Sequence, residues 1–167
     1  GMQVFDLRRL RDVARPPAVF TETVLYTGIR SAHNLVLDEA TGFAYVAVCD
    51  HAAIPKDRAD TMDTTWWDTV ATLSYLAALT TRIRLLSHVY VLPYTHPLRV
   101  AKQWATLDTL SGGRAILGVG AGHVEGEFEA LGVDFESRGA LLDEAIDAVR
   151  AAFADEFSTH EGRAWSW

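Results

Sequence analysis

Residues 66–120 read WWDTVATLSYLAALTTRIRLLSHVYVLPYTHPLRVAKQWATLDTLSGGRAILGVG, and the rhythm of this stretch decides the fold. From 66 to 80, apolar residues recur three and four apart, which predicts a helix with Asp68 in its first turn, where a negative charge suits the helix dipole. Residues 83–92 (IRLLSHVYVL) form a continuous apolar run and predict a buried strand. Pro97 suits the first turn of a second helix, which runs to about Leu110. The SGGR turn then leads into a strand, AILGVG, that ends in glycines. Strand and helix alternate, as in parallel β/α units.

Working outward, the same alternation continues downstream. A short helix is expected near 125–131 with Gly132 as its stop, and a longer one over 138–153, with Leu141, Leu142, Ile146, Val149 and Phe153 on roughly one face. Upstream the pattern differs. Residues 2–7 and AVFTETVLY suggest short strands, and NLVLD, EATG and FAYVAV suggest strand, turn and strand, with Gly42 free to take a positive φ. No helix separates these strands, as in an antiparallel sheet. Residues 51–64 read as a long loop.

Composition narrows the function. The chain has 167 residues, 49% of them hydrophobic, enough for a sizeable core but short of the roughly 200–250 residues of a complete eight-stranded β/α barrel. Twenty-two acidic against 15 basic residues give a net charge of -7, which argues against a nucleic-acid partner. No apolar run spans a membrane, and the first residues lack the apolar core of a secretion signal, so a cytoplasmic location is expected. A single cysteine, Cys49, forms no internal disulfide. The six histidines show no HxH or HExxH spacing, so no metal site is expected, and no GxSxG elbow marks a serine hydrolase.

Several residues carry chemical interest. Asp50-His51 directly follows a predicted strand, where a histidine can donate a hydrogen bond or act as acid or base near neutral pH. Read structurally, Asp50 caps a loop and His51 is an interior hydrogen-bonded residue. The run Gly118, Gly120, Gly122 is not a GxGxxG fingerprint; it offers either close backbone approach to a flat ligand or a tight turn. Arg138 with Asp143 or Glu144 could tie a helix start to a loop. Trp66, Trp67 and Trp104 read as helix-packing residues.

Residues 43–155 resemble the N-terminal half of the luciferase-like monooxygenase superfamily, through FAYVAVCDHAAIP, LAALTTRIRL, LPYTHPLRVAKQWATLDTLSGGR, ILGVGAGHVEGEFEALGVDF and RGALLDEAIDAVR, with GRAWSW extending the likeness. The resemblance implies an α/β fold: a partial (β/α)8 TIM barrel of three to four units. Ala44–Cys49, 83–92 and 115–119 would be its second, third and fourth strands, preceded by a strand-rich N-terminal segment. Residues 1–42, through GMQVFDLRRLRDV and SAHNLVLDEATGFAYV, resemble instead a repeat of LVIVD-type bacterial β-propellers. That places a junction near residue 42, with 1–42 and 43–167 as separate units.

The luciferase-like resemblance further implies reduced FMN or a deazaflavin (coenzyme F420) as cofactor, with a slight lean to the deazaflavin group, and a small organic substrate. Asp50 and His51 would be catalytic. Ser87, His88, Gly120, Gly122 and His123 would lie at the ring. His123 stands where many members have tryptophan, and Leu86 and His88 depart from a common Gly-Thr-Ser pattern. Glu127 matches a family glutamate expected to fix the loop. The alternative is an inactive, truncated or chimeric fragment that binds no cofactor and quenches cofactor fluorescence little. Exposed sheet edges of a partial barrel would invite a homo-oligomer.

Overall fold

The computed structural model describes residues 2–4, 24–26, 32–38, 43–62 and 64–167. Strands β1 (Met2–Val4) and β2 (Val24–Tyr26) pair antiparallel with Met2 opposite Tyr26. Strands β3 (Ala32–Asp38) and β4 (Phe43–Val48) form an antiparallel pair in which Asp38 faces Phe43, the two strands expected there. The turn expected between them, with Gly42, lies outside the described residues.

From β4 onward the chain alternates as expected. It runs through α1 (Thr69–Leu79), β5 (Arg84–Ser87), β6 (Tyr90–Val91), α2 (Pro97–Ser111), β7 (Ala115–Ile116), β8 (Val119–Gly120), α3 (Glu125–Leu131) and α4 (Arg138–Ala154). Strands β4, β5 and β7 are parallel neighbours, and with β3 on the outer side they make a sheet of order β3-β4-β5-β7. β6 and β8 pair parallel as a separate two-stranded continuation. This is an α/β fold with an unclosed, partial barrel-like sheet. No sheet curls closed among the described residues, and β3 shares one sheet with the parallel strands. Among the described residues there is therefore no propeller blade.

Helices α1 and α2 start where the sequence supplies a side-chain cap. Asp68 accepts the Ala71 N–H at 2.6 Å and starts α1, which buries Leu73, Leu76 and Ala77 at helical spacing. Pro97 opens α2 behind His96, whose ring nitrogen accepts the Leu98 N–H at 3.3 Å. Gly112, at φ 70°, ends α2 in the left-handed conformation that costs other residues most. Val100, Trp104 and Leu107 on α2 meet Leu73 and Leu76 of α1, Val46 and Leu85 of the sheet, and Ala145 and Val149 of α4 in one core. Arg114 works between elements: its guanidinium donates to the carbonyls of Ala77, Thr80 and Ile83, so it gathers the end of α1 onto the sheet.

Two expected strands are each broken in the structure. The run 83–92 divides into β5 and β6 around a cis His88–Val89 peptide, and 115–119 divides into β7 and β8. The same atoms interrupt both. The Ser87 hydroxyl donates to the Gly118 carbonyl at 2.8 Å and accepts its N–H at 3.0 Å, taking the place of a backbone ladder bond. A Cβ at Gly118 would collide with the Ser87 carbonyl oxygen, which explains the glycine. Arg138 does not reach Asp143 or Glu144; it donates to the Phe135 carbonyl at 2.8 Å and stacks on the Phe135 ring. No helix among the described residues is long and apolar enough to cross a membrane.

Candidate functional site

The carboxyl ends of β4, β6 and β8 converge on one cavity of about 260 Å³. The Cys49–His51 turn supplies one wall, His88, Val89 and Val91 a second, and the 120–123 loop a third, with Tyr94 and Glu127 at the back. Asp50, His51, His88, Gly120, Gly122 and His123 thus all line one cavity. Ser87 does not line the cavity; it is fully buried in the strand break described above.

Glu127 holds the site together. Its side chain, 1% exposed, sits on α3 and accepts the N–H groups of Ala52 at 2.6 Å and Ala53 at 3.0 Å on Oε1. Its Oε2 accepts from His51 Nδ1 at 2.8 Å and from the Tyr94 hydroxyl at 3.3 Å. One buried carboxylate therefore satisfies four donors from two segments of the chain, the arrangement that makes a buried charge tolerable. Gly126, beside it, lets α3 approach the loop, since a Cβ there would lie 2.6 Å from the Pro55 ring. The sequence reading gave Glu127 a loop-fixing role. It missed that the loop fixed is the one carrying Asp50 and His51, because the partners lie 74–76 residues away.

Asp50 turns the other way. Its Oδ2 accepts the Val91 N–H at 3.0 Å, tying the end of β4 to β6 just past the cis peptide. Burial pushes its carboxyl up to about 6, with the charges of Asp68 and Glu127 adding to the rise and the Val91 N–H and His51 opposing it. Fully buried Thr69 donates to the Cys49 carbonyl at 2.8 Å and anchors the turn from α1. Burial, then the Asp50 charge, raises the Cys49 thiol, whose Sγ donates to the His88 carbonyl at 2.9 Å; a thiol so placed is a structural donor. Tyr94 is pushed above the ordinary phenol range by burial and then by Glu127, so its hydroxyl stays a donor.

The glycine loop fits a thin wall. A Cβ at Gly120 would lie 2.6 Å from Val89, and Gly122, at φ 82°, has Phe128 and Val91 within 2.9 Å of the same position. The His51 ring contacts Trp66 at 4.3 Å between centroids and faces His123 edge-on at 6.0 Å. The result is a shallow slot with backbone and apolar walls and a rim of histidine and carboxylate groups. No lysine or arginine lines it among the described residues. Among those residues, no group of histidine, cysteine and carboxylate side chains could hold a metal ion.

A cavity at the carboxyl ends of parallel strands followed by helices is the arrangement of β/α-barrel proteins. The chain belongs to the luciferase-like monooxygenase family, whose model matches residues 27–166. An uncharacterized protein of Mycobacterium tuberculosis is 34% identical over 166 residues, covering 86% of this chain and 58% of that protein. The chain thus spans a little over half the length of that relative. The crystal structure of monooxygenase RslO1 from Streptomyces bottropensis matches at 35% identity and a TM-score of 0.58, over 60% of this chain and 30% of the other. The oxygenating constituent of 3,6-diketocamphane monooxygenase from Pseudomonas putida, in complex with FMN, shares the fold. It matches at 20% identity with a TM-score of 0.64, over 77% of this chain and 34% of that one.

These findings correct one expectation. The family match begins at residue 27, well inside the segment 1–42 that resembled a propeller repeat. The propeller resemblance and the fusion it implied are overturned. What misled was a short Gly-Phe-aromatic strand around residues 42–48 that both families share.

Proposed function

We propose that the cavity holds the ring of reduced FMN or of a deazaflavin such as coenzyme F420, as the ring-side half of a luciferase-like oxidoreductase acting on a small organic substrate. The observation that carries this is the convergence of three parallel-strand ends on one slot with apolar walls and a histidine-carboxylate rim. The residues present fit such a group. The glycine loop and Val89 give a flat face, and His51, His88 and His123 offer polar contacts at its edge. The cofactor, when bound, supplies the redox chemistry.

The chain's own residues do the rest. Asp50 and His51 are assigned to the reacting side, where the Asp50 carboxyl, raised to about 6, can exchange a proton near neutral pH and the His51 imidazole can hydrogen-bond the substrate. Gly120, Gly122 and His123 form the opposite wall, with His88 at the strand break and Ser87 supporting it from behind. The slot is large enough for a tricyclic ring, and among the described residues no lysine or arginine lines it to hold a phosphate tail. With the tail unheld, about 0.3 kcal/mol per heavy atom over roughly twenty ring atoms gives a Kd on the order of 10–100 μM.

Fluorescence titration of the purified chain with FMN and separately with F420 tests this. Saturable one-to-one quenching of one cofactor, lost in Gly122→Val, supports the reading and selects the cofactor. No quenching of either up to millimolar concentrations would leave the alternative, a fragment that binds no cofactor.

A further inference from the structure

We propose that Glu127 is a positioning residue that fixes the tautomer of His51, so that Nδ1 carries the proton and Nε2 offers a lone pair to the cavity. This deepens the functional reading above, since it states which kind of ligand group the site is set to receive: one that presents an N–H or O–H to His51.

The hydrogen bonds of one carboxylate fix the tautomer. Oε1 accepts from two backbone N–H groups, Ala52 and Ala53, which have no other state to adopt. Oε2 accepts from the Tyr94 hydroxyl, which burial and the adjacent charge keep protonated. Both oxygens are therefore acceptors, and His51 Nδ1, 2.8 Å from Oε2, must be the donor. A neutral imidazole has a single N–H, so Nε2 is left bare. Nε2 makes no protein hydrogen bond among the described residues, while His51 lines the cavity. Trp66 and His123 flank the ring and hold its plane.

The same inventory supplies an isosteric test. In Glu127→Gln the Ala52 and Ala53 N–H groups require the amide oxygen to stay on their side. The amide NH₂ then faces His51 Nδ1, which must become an acceptor, and the proton moves to Nε2. Long-range ¹H–¹⁵N correlation spectra of the histidine rings in the ligand-free chain report the tautomer directly. The expected result is an Nδ1–H tautomer for neutral His51 in the wild type and exchange of the two ring-nitrogen signals in Glu127→Gln. An Nε2–H tautomer in the wild type, or an unchanged pattern in a folded Glu127→Gln variant, would overturn the proposal. Should that variant fail to fold, the wild-type spectrum alone decides. The measurement needs no cofactor, so a failure of cofactor binding leaves it intact.

Discussion

Two glutamates, each on a helix, clasp a distant loop by its backbone N–H groups. Glu127 on α3 holds Ala52 and Ala53 beside His51. Glu144 on α4 holds Ala164 and Trp165, at 2.8 and 2.9 Å to Oε1, beside His160. The device is shared but the surroundings differ. Glu127 is 1% exposed and bonds its histidine at 2.8 Å, whereas Glu144 is 18% exposed and stands 3.9 Å from His160 Nε2. The first clasp shapes a cavity. The second closes a hairpin in which His160 and Trp167 exchange backbone hydrogen bonds at 2.9 Å. Depth, and a committed imidazole, separate a site-building clasp from a structural one.

The sharpest way to break the comparison is to delete the deeper carboxylate. Glu127→Ala strands two backbone donors, a hydroxyl and an imidazole N–H in a place that water scarcely reaches. At 1–3 kcal/mol per uncompensated buried group, with partial relaxation, the loss should be about 4 kcal/mol. Urea unfolding monitored by tryptophan fluorescence measures it. A loss below about 1 kcal/mol would mean that water replaces the carboxylate freely and the clasp is superficial.

The neighbouring carboxylate gives a pH signature that the outer clasp lacks. Asp50 titrates near 6 in the folded chain against an ordinary 3.8, so the folded state holds its proton more tightly. Its contribution is full below the ordinary value and is lost as pH rises through about 6. A shift of about two units corresponds to ~3 kcal/mol over that window. Asp50→Asn should flatten this part of the stability profile between pH 4 and 7. An unchanged slope would show that Asp50 ionises without penalty.

How much of this was legible in the sequence follows the same division between local and distant. Among the described residues the α-helices were legible, α1 to α3 because Asp68, Pro97, Gly112 and Gly132 are local punctuation and α4 through its apolar periodicity alone. The Asp50–His51 turn was legible because it directly follows a strand. The strand breaks were not, because they depend on Ser87 meeting Gly118 across 31 residues. Neither clasp was visible as a clasp. A glutamate on an amphipathic helix looks solvent-facing until the loop that covers it is known. Residues 1–42 went further astray, since a short strand motif was read without the sheet it joins.

A glycine accompanies each clasp, and substituting the outer one probes whether that clasp tolerates crowding. A Cβ at Gly162 would meet the Glu144 carboxylate, and His160 Nε2 at 2.7 Å. Gly162→Ala should push Glu144 off its N–H partners and cost about 1–2 kcal/mol. At the inner clasp, Gly126→Ala meets only the Pro55 ring and gains helix propensity, so it should cost less. Thermal melts of the two variants side by side check the order. The reverse order would place the tighter packing at the inner loop rather than at the hairpin.

The smallest effect expected is also the one that sets the two regions in opposition. Burial raises the Glu144 carboxyl, but the N–H groups of Trp165, Ala164 and Arg163, with His160, outweigh it and hold the group below its ordinary 4.5. Its contribution is therefore present above that value and lost as pH falls through the lower folded pKa, opposite in sign to Asp50. Partial exposure limits the contribution to about 1 kcal/mol. Glu144→Gln should remove that acid-side loss while leaving the Asp50 slope near pH 6 untouched. Urea midpoints measured from pH 3 to 7 on the wild type, Glu144→Gln and Asp50→Asn would separate the two. If Glu144→Gln instead altered the slope near pH 6, the two clasps would be coupled through α4 and the core rather than independent.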